Sequence, residues 1–471
     1  MYKKITAGII QDLAGLVGPG SVLTDLERIV DYGHDEFSLR EIARLPEAVV
    51  KPGTAEEVAA VLRLANRELF PVTPRGGATG LCGGCVPAQG GIVLSLERMN
   101  RVVEVDAANQ MAVVEAGVTL GDFAKAVEER GYAFPPHPGD ASAMIGGLIA
   151  TNAGGSRAVK YGVIRNYVRG LEVVLPRGEI VRLGGKYVKS SSGYSLLHLM
   201  IGSEGTLGVI TQATIQLLPP FKLTRSLIIP YADLAAAIES VPLLLQKSIT
   251  PLAVEFVDRD VIRITEDFLR LHWPSSLGAT DLLIILDAAT EAEMDRLSEE
   301  VAAVCLERGA IDVYIADTAK KQDEVLQIRS KIYEAIKSGT VEILDISLPR
   351  AEIPGHVKRV HEIGVENRIW LPTFGHAADG NVHTHIMKVR CEGNRMVPLP
   401  EEAWRPRFEA VRAAIYEDGR RRGGVVSGEH GIGLVKKDYL SLSADPALIA
   451  LMKGIKRTFD PNAILNPGKI F

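Results

Sequence analysis

Three glycine-rich segments set the tightest limit on how this chain folds: residues 75–84, 145–155 and 201–210. Runs of small residues let one backbone approach another backbone or a ligand closely, and let several N–H groups converge on an anion. None of the three contains Gly-x-Gly-x-x-Gly or a Walker pattern, so neither a Rossmann dinucleotide site nor a P-loop is expected. Tight turns would explain one such segment as well as a ligand would. Three together point to a phosphate-bearing cofactor held by main chain.

The local patterns around these segments predict an α+β protein. Val49-Val50 reads as a strand, followed by a capping box of Thr54 and Glu57 and a helix to about Leu69. Pro71–Pro74 then delivers the chain into the first glycine loop. The texture changes at Pro219-Pro220. Strand-like runs Ser226–Ile229, Ala253–Val257, Leu282–Asp287 and Val313–Ala316 alternate with helical runs Leu234–Leu245, Val261–Leu271 and Ala292–Arg308. That alternation predicts a compact sheet with helices on one face, ferredoxin-like in plan. The expected division is 1–219, 220–420 and a C-terminal stretch, 421–471, that packs back on the first domain.

Several partner classes fall away. Acidic and basic residues are interspersed with a net charge of −5, and no basic tract is present, so nucleic acid is not expected. Residues 1–8 lack the apolar core of a signal peptide, and no run of 18 uncharged apolar residues occurs. The expectation is a cytoplasmic protein without a membrane span. The four cysteines are too few and too scattered for an iron–sulfur module or a disulfide framework. Cys82 and Cys85, in the first glycine loop, read as small fillers.

The second half carries a different signature. His376, His383 and His385 fall within ten residues, 376–385. Ile369–Phe374 and Asn381–Met387 read as strands joined by an Asp-Gly-Asn turn. His383 and His385 share a strand face, and His376 converges on His383 across the turn. Downstream, Ser427–Gly433 presents Glu429 and His430 between glycines. Two imidazoles and a carboxylate suit Zn²⁺, Mn²⁺ or Fe²⁺ with open coordination positions.

The glycine segments, with Gly-Ser-Glu-Gly-Thr-Leu-Gly-Val-Ile at 202–210, resemble the FAD signatures of the vanillyl-alcohol-oxidase (PCMH) type flavoproteins. The resemblance is to the branch of D-lactate dehydrogenases, glycolate oxidase D-subunits and D-2-hydroxyglutarate dehydrogenases, and it runs from about Asp31 to Lys469. It implies a PCMH-type FAD-binding domain and an α+β substrate (cap) domain. In that frame Arg75, Gly76, Gly77, Ala78, Thr79, Gly80 and Leu81 wrap the FAD pyrophosphate. Gly146, Gly147, Thr151, Asn152, Gly154, Gly155, Glu204, Gly205, Gly208 and Ile210 line the rest of the cofactor, and Asn466 closes over it. Family members with covalently attached FAD often carry a histidine in the first loop. None stands at 75–84 here, so non-covalent FAD is expected.

The resemblance also assigns roles in the second half. The pattern Gly-His-x-Gly-Asp-Gly-Asn-x-His, with Ala378 in place of its middle glycine, and Glu-His-Gly make His376, His383 and Glu429 metal ligands and His430 the general base. Arg329 matches the arginine that pairs with the substrate carboxylate. Asn381 and His385 complete the catalytic set, His385 standing where some relatives have a substrate-contacting asparagine. The implied reaction is oxidation of a small D-2-hydroxy acid, with the cation acidifying the hydroxyl, His430 taking its proton and the α-hydrogen leaving as hydride to flavin. Relatives acting on 2-hydroxyglutarate carry a lysine shortly before Asp-x-Ser-x-Pro. Apolar Ile343 and Leu344 precede that motif here, which favours D-lactate or glycolate. Electrons would pass on to an electron-transferring flavoprotein or an iron–sulfur subunit. The alternatives are a metal-independent alcohol or sugar-lactone oxidase and a non-catalytic FAD electron-transfer subunit.

Overall fold

Helix Ala55–Glu68 starts on the predicted cap, where the Thr54 hydroxyl accepts the Glu57 N–H at 3.2 Å. The Glu57 carboxylate reaches one residue further back than a capping box requires and takes the Gly53 N–H at 2.7 Å. Leu69 ends the helix in the left-handed region, at φ 57°. The computed structural model describes residues 2–37 and 39–471, and the chain divides into two units. The first comprises Met1–Gly154, Val163–Pro220 and Glu429–Phe471; the second comprises Gly155–Gly162 and Phe221–Gly428.

In the first unit the helix buries Val58, Val61, Leu62 and Ala65 against Val50, Val72, Ile92 and Leu94. These last four belong to a four-stranded sheet in the order Val22–Leu23, Ala48–Val50, Ile92–Ser95, Val72–Arg75. Its three longer strands pair in parallel, which gives both neighbours of Ile92–Ser95 the same exit direction. Arg75 ends its strand, so the first glycine loop leaves from the sheet's C-terminal edge. Leu465 bridges Val72, and the Asn466 N–H reaches the Val72 carbonyl at 2.8 Å, which seats the C-terminal segment beside that loop. A second, antiparallel sheet runs Val102–Asp106, Met111–Glu115, Val209–Gln216, Val168–Val174, Ile180–Gly184. The third glycine segment feeds its central strand. The second glycine segment becomes helix Ile145–Thr151, closed by Asn152 at φ 53°.

The second unit is built on a seven-stranded antiparallel sheet. Its order is Tyr314–Ala316, Leu223–Tyr231, Thr280–Ala288, Ala253–Asp258, Thr373–His376, Asn381–Met387, Thr340–Ser347. The first four strands read from the sequence form one side of it. Three more extend the sheet beyond Ala253–Asp258: the two histidine strands, of which the one expected at 369–374 stands at Thr373–His376 and the other keeps its expected bounds, and Thr340–Ser347, which was not expected. Helices Arg259–Leu269 and Ala319–Ser330 bury Val261, Ile262, Val325 and Ile328 in one core with Ile228, Val257, Leu283 and Phe374. Residues 155–162 and 421–428 lie in this unit, whereas the sequence pattern places the boundaries at 219/220 and 420/421. Val425 and Ser427 bridge Ser347 and Asp345 at the edge of the sheet.

Candidate functional site

In the first unit the glycine segments enclose an open cleft of about 1000 Å³. Arg75, Gly76, Gly77, Ala78, Thr79, Gly80, Gly146, Gly147, Thr151, Glu204, Gly205, Gly208 and Ile210 line it, and so does His430. Leu81, Asn152, Gly154, Gly155 and Asn466 do not appear in its wall. The glycines separate into two kinds. A Cβ on Gly146 would sit 2.6 Å from that of Ala116, and one on Gly77 would sit 2.9 Å from the Ser142 carbonyl. These two are required by packing. A Cβ on Gly147 or Gly84 would meet nothing within 4 Å and would project into free space at the cleft. That bare backbone fits a cofactor pressed against it. Ala78, at φ 57°, keeps the loop turning where glycine would be the easier residue.

The cleft is braced by residues the sequence singles out and by one it does not, Asp35. The Arg75 guanidinium donates to the carbonyls of His34 at 2.6 Å and Asp31 at 2.8 Å. Asp35, buried in the wall, accepts the Gly83 N–H at 2.7 Å. Burial pushes its carboxyl up, against the N–H donors of Phe37 and Gly83. Asn466 ties the first and third glycine segments, donating to Gly84 O at 3.0 Å and Glu204 O at 2.8 Å. The Glu204 carboxylate accepts the N–H groups of Ile432 and Gly433 at 2.7 Å each. It therefore clamps the loop just past His430, and Cys82 Sγ donates to Gly431 O at 3.2 Å. Burial pushes the Cys85 thiol up to about 11, which keeps it a neutral filler.

The second unit holds His376, Asn381, His383 and His385 on two neighbouring strands and Arg329 near the end of helix Ala319–Ser330. The turn between Thr373–His376 and Asn381–Met387 needs Gly380 at φ 93°, where a Cβ would run into the Leu348 carbonyl. The hairpin sets the His376 and His383 rings edge to face, 5.3 Å between centroids, with ligand nitrogens within 4.8 Å of each other. Both histidines are buried. His376 Nδ1 meets Glu255 Oε1 at 2.6 Å, and Glu255 stands directly opposite His376 on the adjacent strand. The other oxygen, Oε2, accepts Arg329 Nε at 2.9 Å and also Arg329 Nη2. Burial would raise the Glu255 carboxyl, but the Arg329 charge and His376 outweigh it and hold it below the ordinary range. Arg329 also lies over the Phe374 ring at 5.1 Å. Its Nη1 has no protein acceptor among the described residues.

Asp345 organises the opposite side of His383. It is fully buried and 3.7 Å from His383 Nδ1. Its Oδ1 accepts Asn381 Nδ2 at 2.8 Å; its Oδ2 accepts Ser427 Oγ at 2.8 Å and the Gly428 N–H at 3.0 Å. Asn381 therefore orders Asp345, and Asp345 fixes the residue that precedes Glu429 in the chain. His385, buried on the same strand, stacks on Phe374 at 4.9 Å and meets Thr340 Oγ1 at 3.3 Å.

Residues 222–470 match the family model of FAD linked oxidases, C-terminal domain, and residues 46–184 match that of the FAD binding domain. The D-lactate dehydrogenase of Archaeoglobus fulgidus is 46% identical over 459 residues, covering 96% of this chain and 99% of its own. That of Anaerostipes hadrus is 41% identical, covering 100% and 98%. Glycolate oxidase subunit GlcD of Bacillus subtilis is 36% identical, covering 99% and 97%. In fold the chain is similar to p-cresol methylhydroxylase with substrate bound, at TM-score 0.80 and 20% identity, covering 100% of this chain and 98% of that one. A 4-ethylphenol oxidase from Gulosibacter chungangensis gives 0.79, at the same identity and coverage.

Proposed function

Because this chain belongs to the FAD-linked oxidase family, we propose that it oxidises a small D-2-hydroxy acid, D-lactate or glycolate, to the 2-oxo acid. The observation that carries this is the His376–His383 nitrogen pair on one sheet, one carboxylate away from Arg329 on the helix packed beside it. A cation site beside a guanidinium suits a substrate with a hydroxyl next to a carboxylate. The names of three full-length relatives, two D-lactate dehydrogenases and a glycolate oxidase subunit, point the same way.

When bound, FAD supplies the hydride acceptor and a divalent cation, Zn²⁺, Mn²⁺ or Fe²⁺, supplies Lewis acidity toward the substrate hydroxyl. His376, His383 and Glu429 are the residues that would hold the cation. Asp345, although near His383, has both oxygens engaged by Asn381, Ser427 and Gly428, so it serves better as a support than as a ligand. His430, held at the cleft by the Glu204 clamp, takes the hydroxyl proton. Arg329 offers Nη1 to the substrate carboxylate, and His385 supports Phe374 beneath that guanidinium. With no histidine at 75–84, FAD is held without a covalent bond. Electrons leave to a protein acceptor such as an electron-transferring flavoprotein or an iron–sulfur subunit, in the cytoplasm. No helix among the described residues is long and apolar enough to cross a membrane.

The test is anaerobic bleaching of the bound flavin by D-lactate, L-lactate and glycolate, with and without a chelator. Bleaching by the D-acid or glycolate that the chelator abolishes supports the reading. Chelator-insensitive bleaching by an uncharged alcohol or a sugar lactone would replace it with a metal-free oxidase. No bleaching by any donor would leave an electron-transfer subunit.

A further inference from the structure

We infer that Glu255 is a positioning residue that sets two parts of the site at once: the coordinating face of His376 and the substrate-facing nitrogen of Arg329. The inference rests on the function proposed above and extends it to a residue to which that reading gives no task.

Glu255 lies mid-strand in Ala253–Asp258, 1% exposed, on a sheet that otherwise buries Val254, Phe256 and Val257 there. A lone carboxylate in such a place is costly unless its charge is compensated and its lone pairs are filled. Here each oxygen has its own partner. Oε1 takes His376 Nδ1 at 2.6 Å, and Oε2 takes Arg329 at Nε and Nη2. The two contacts have different consequences. A carboxylate at Nδ1 holds the proton there and leaves Nε2 as the lone pair, the arrangement that orients and strengthens a histidine ligand. The pairing at Nε and Nη2 fixes the plane of the guanidinium. With Phe374 under that plane, only Nη1 is left to meet a substrate. Glu255 and Arg329 also cancel in charge. A monocarboxylate therefore meets one directed donor at Arg329 and not a free cation.

The division of labour between the two oxygens makes the isosteric variant informative. Glu255→Gln keeps volume but has one oxygen and one NH₂. If the oxygen stays with Arg329, the NH₂ faces His376, Nδ1 must accept, and the proton moves to Nε2, which removes the ligand lone pair. If the oxygen stays with His376, the NH₂ faces the guanidinium and displaces it. Either arrangement gives up one of the two functions.

The experiment measures Mn²⁺ binding alone, by paramagnetic resonance of the free ion, and the D-lactate dependence of anaerobic flavin reduction at saturating Mn²⁺. Bound FAD reports that each variant is folded. In Glu255→Gln at least one of the two half-saturation values is expected to rise about 10- to 100-fold at unchanged FAD content. Glu255→Asp retains two oxygens at shorter reach and is expected to fall between parent and Gln variant. It also serves should the Gln variant lose FAD. Parental values for both ligands in a folded Glu255→Gln or Glu255→Asp protein would overturn the inference alone. Failure of the parent to bind Mn²⁺ would overturn the functional reading, and this inference with it.

Discussion

Replacing Arg329 by lysine separates its two contacts. Lysine keeps a cation beside the buried Glu255, so the carboxylate is not left uncompensated, a loss that costs about 3–5 kcal/mol when a buried pair is broken. A single ammonium on a flexible stem, however, cannot pair with Glu255 and also present a second, fixed nitrogen. Two of the three guanidinium nitrogens already serve Glu255. The substrate carboxylate therefore meets Nη1 alone, as one charge-assisted bond and not a bidentate clamp. One such bond contributes about 1.5–3 kcal/mol. Its loss corresponds to a rise of roughly 10- to 150-fold in half-saturating D-lactate. The carboxylate charge barely changes during hydride departure, so the limiting rate is expected to stay within about threefold. The assay is stopped-flow flavin reduction under argon at saturating Mn²⁺ over a wide D-lactate range. An unchanged concentration dependence would refute the argument by placing the carboxylate elsewhere. A collapse of the limiting rate alone would do so by giving Arg329 a transition-state role.

Three further outcomes follow from the same geometry. Alanine at His376, His383 or Glu429 lowers bound metal, by elemental analysis of dialysed protein, while FAD remains; full metal in all three variants removes the proposed ligand set. His430→Ala lowers the limiting rate of flavin reduction about 10²- to 10⁴-fold, as loss of a general base does; parental reduction would make His385 the next candidate. Burial pushes the Asp281 carboxyl up to about 7, even with Arg259 Nη2 at 2.5 Å. A carboxyl raised above its unfolded value of about 3.9 contributes its full stability below that pH and loses it as pH rises through about 7. Thermal melts are therefore expected to weaken between about pH 4 and pH 7, and Asp281→Asn to flatten that slope. An equal slope in both proteins would show that other groups set it.

The legible part of this protein was local. The Thr54 cap, the strand before the first glycine loop and the turn before Asn381 are each specified by neighbours a few residues apart; the cap and the turn stand where the pattern puts them, and the strand, expected at Pro71–Pro74, stands one residue on at Val72–Arg75. The histidine pair was legible for the same reason: one tight hairpin fixes both rings. Glu255 was not. In Ala-Val-Glu-Phe-Val a glutamate reads as a solvent-facing residue. Only the pairing of its strand with Thr373–His376, across 121 residues, and the return of a helix, across 74, turn it into a buried hub. Asp35 was hidden likewise, 48 residues before Gly83, whose N–H it accepts. The strand that escaped the sequence reading of the second unit's sheet is Thr340–Ser347, which mixes Glu342 and Asp345 into an apolar run. Its charges, buried beside Arg412 and Asn381, mask its period. Glycine counting, finally, does not distinguish glycines that permit packing, such as Gly146, from one that leaves open backbone, such as Gly147.

The most direct measurement is the single-turnover rate of flavin reduction by D-lactate carrying hydrogen or deuterium at the α-carbon, with L-lactate as the stereochemical control. Removal of the α-hydrogen as hydride predicts rapid bleaching by the D-isomer, a several-fold slower rate with deuterium, and no bleaching by L-lactate. Flavin that stays oxidised with D-lactate and glycolate, in metal-replete protein, would contradict the account.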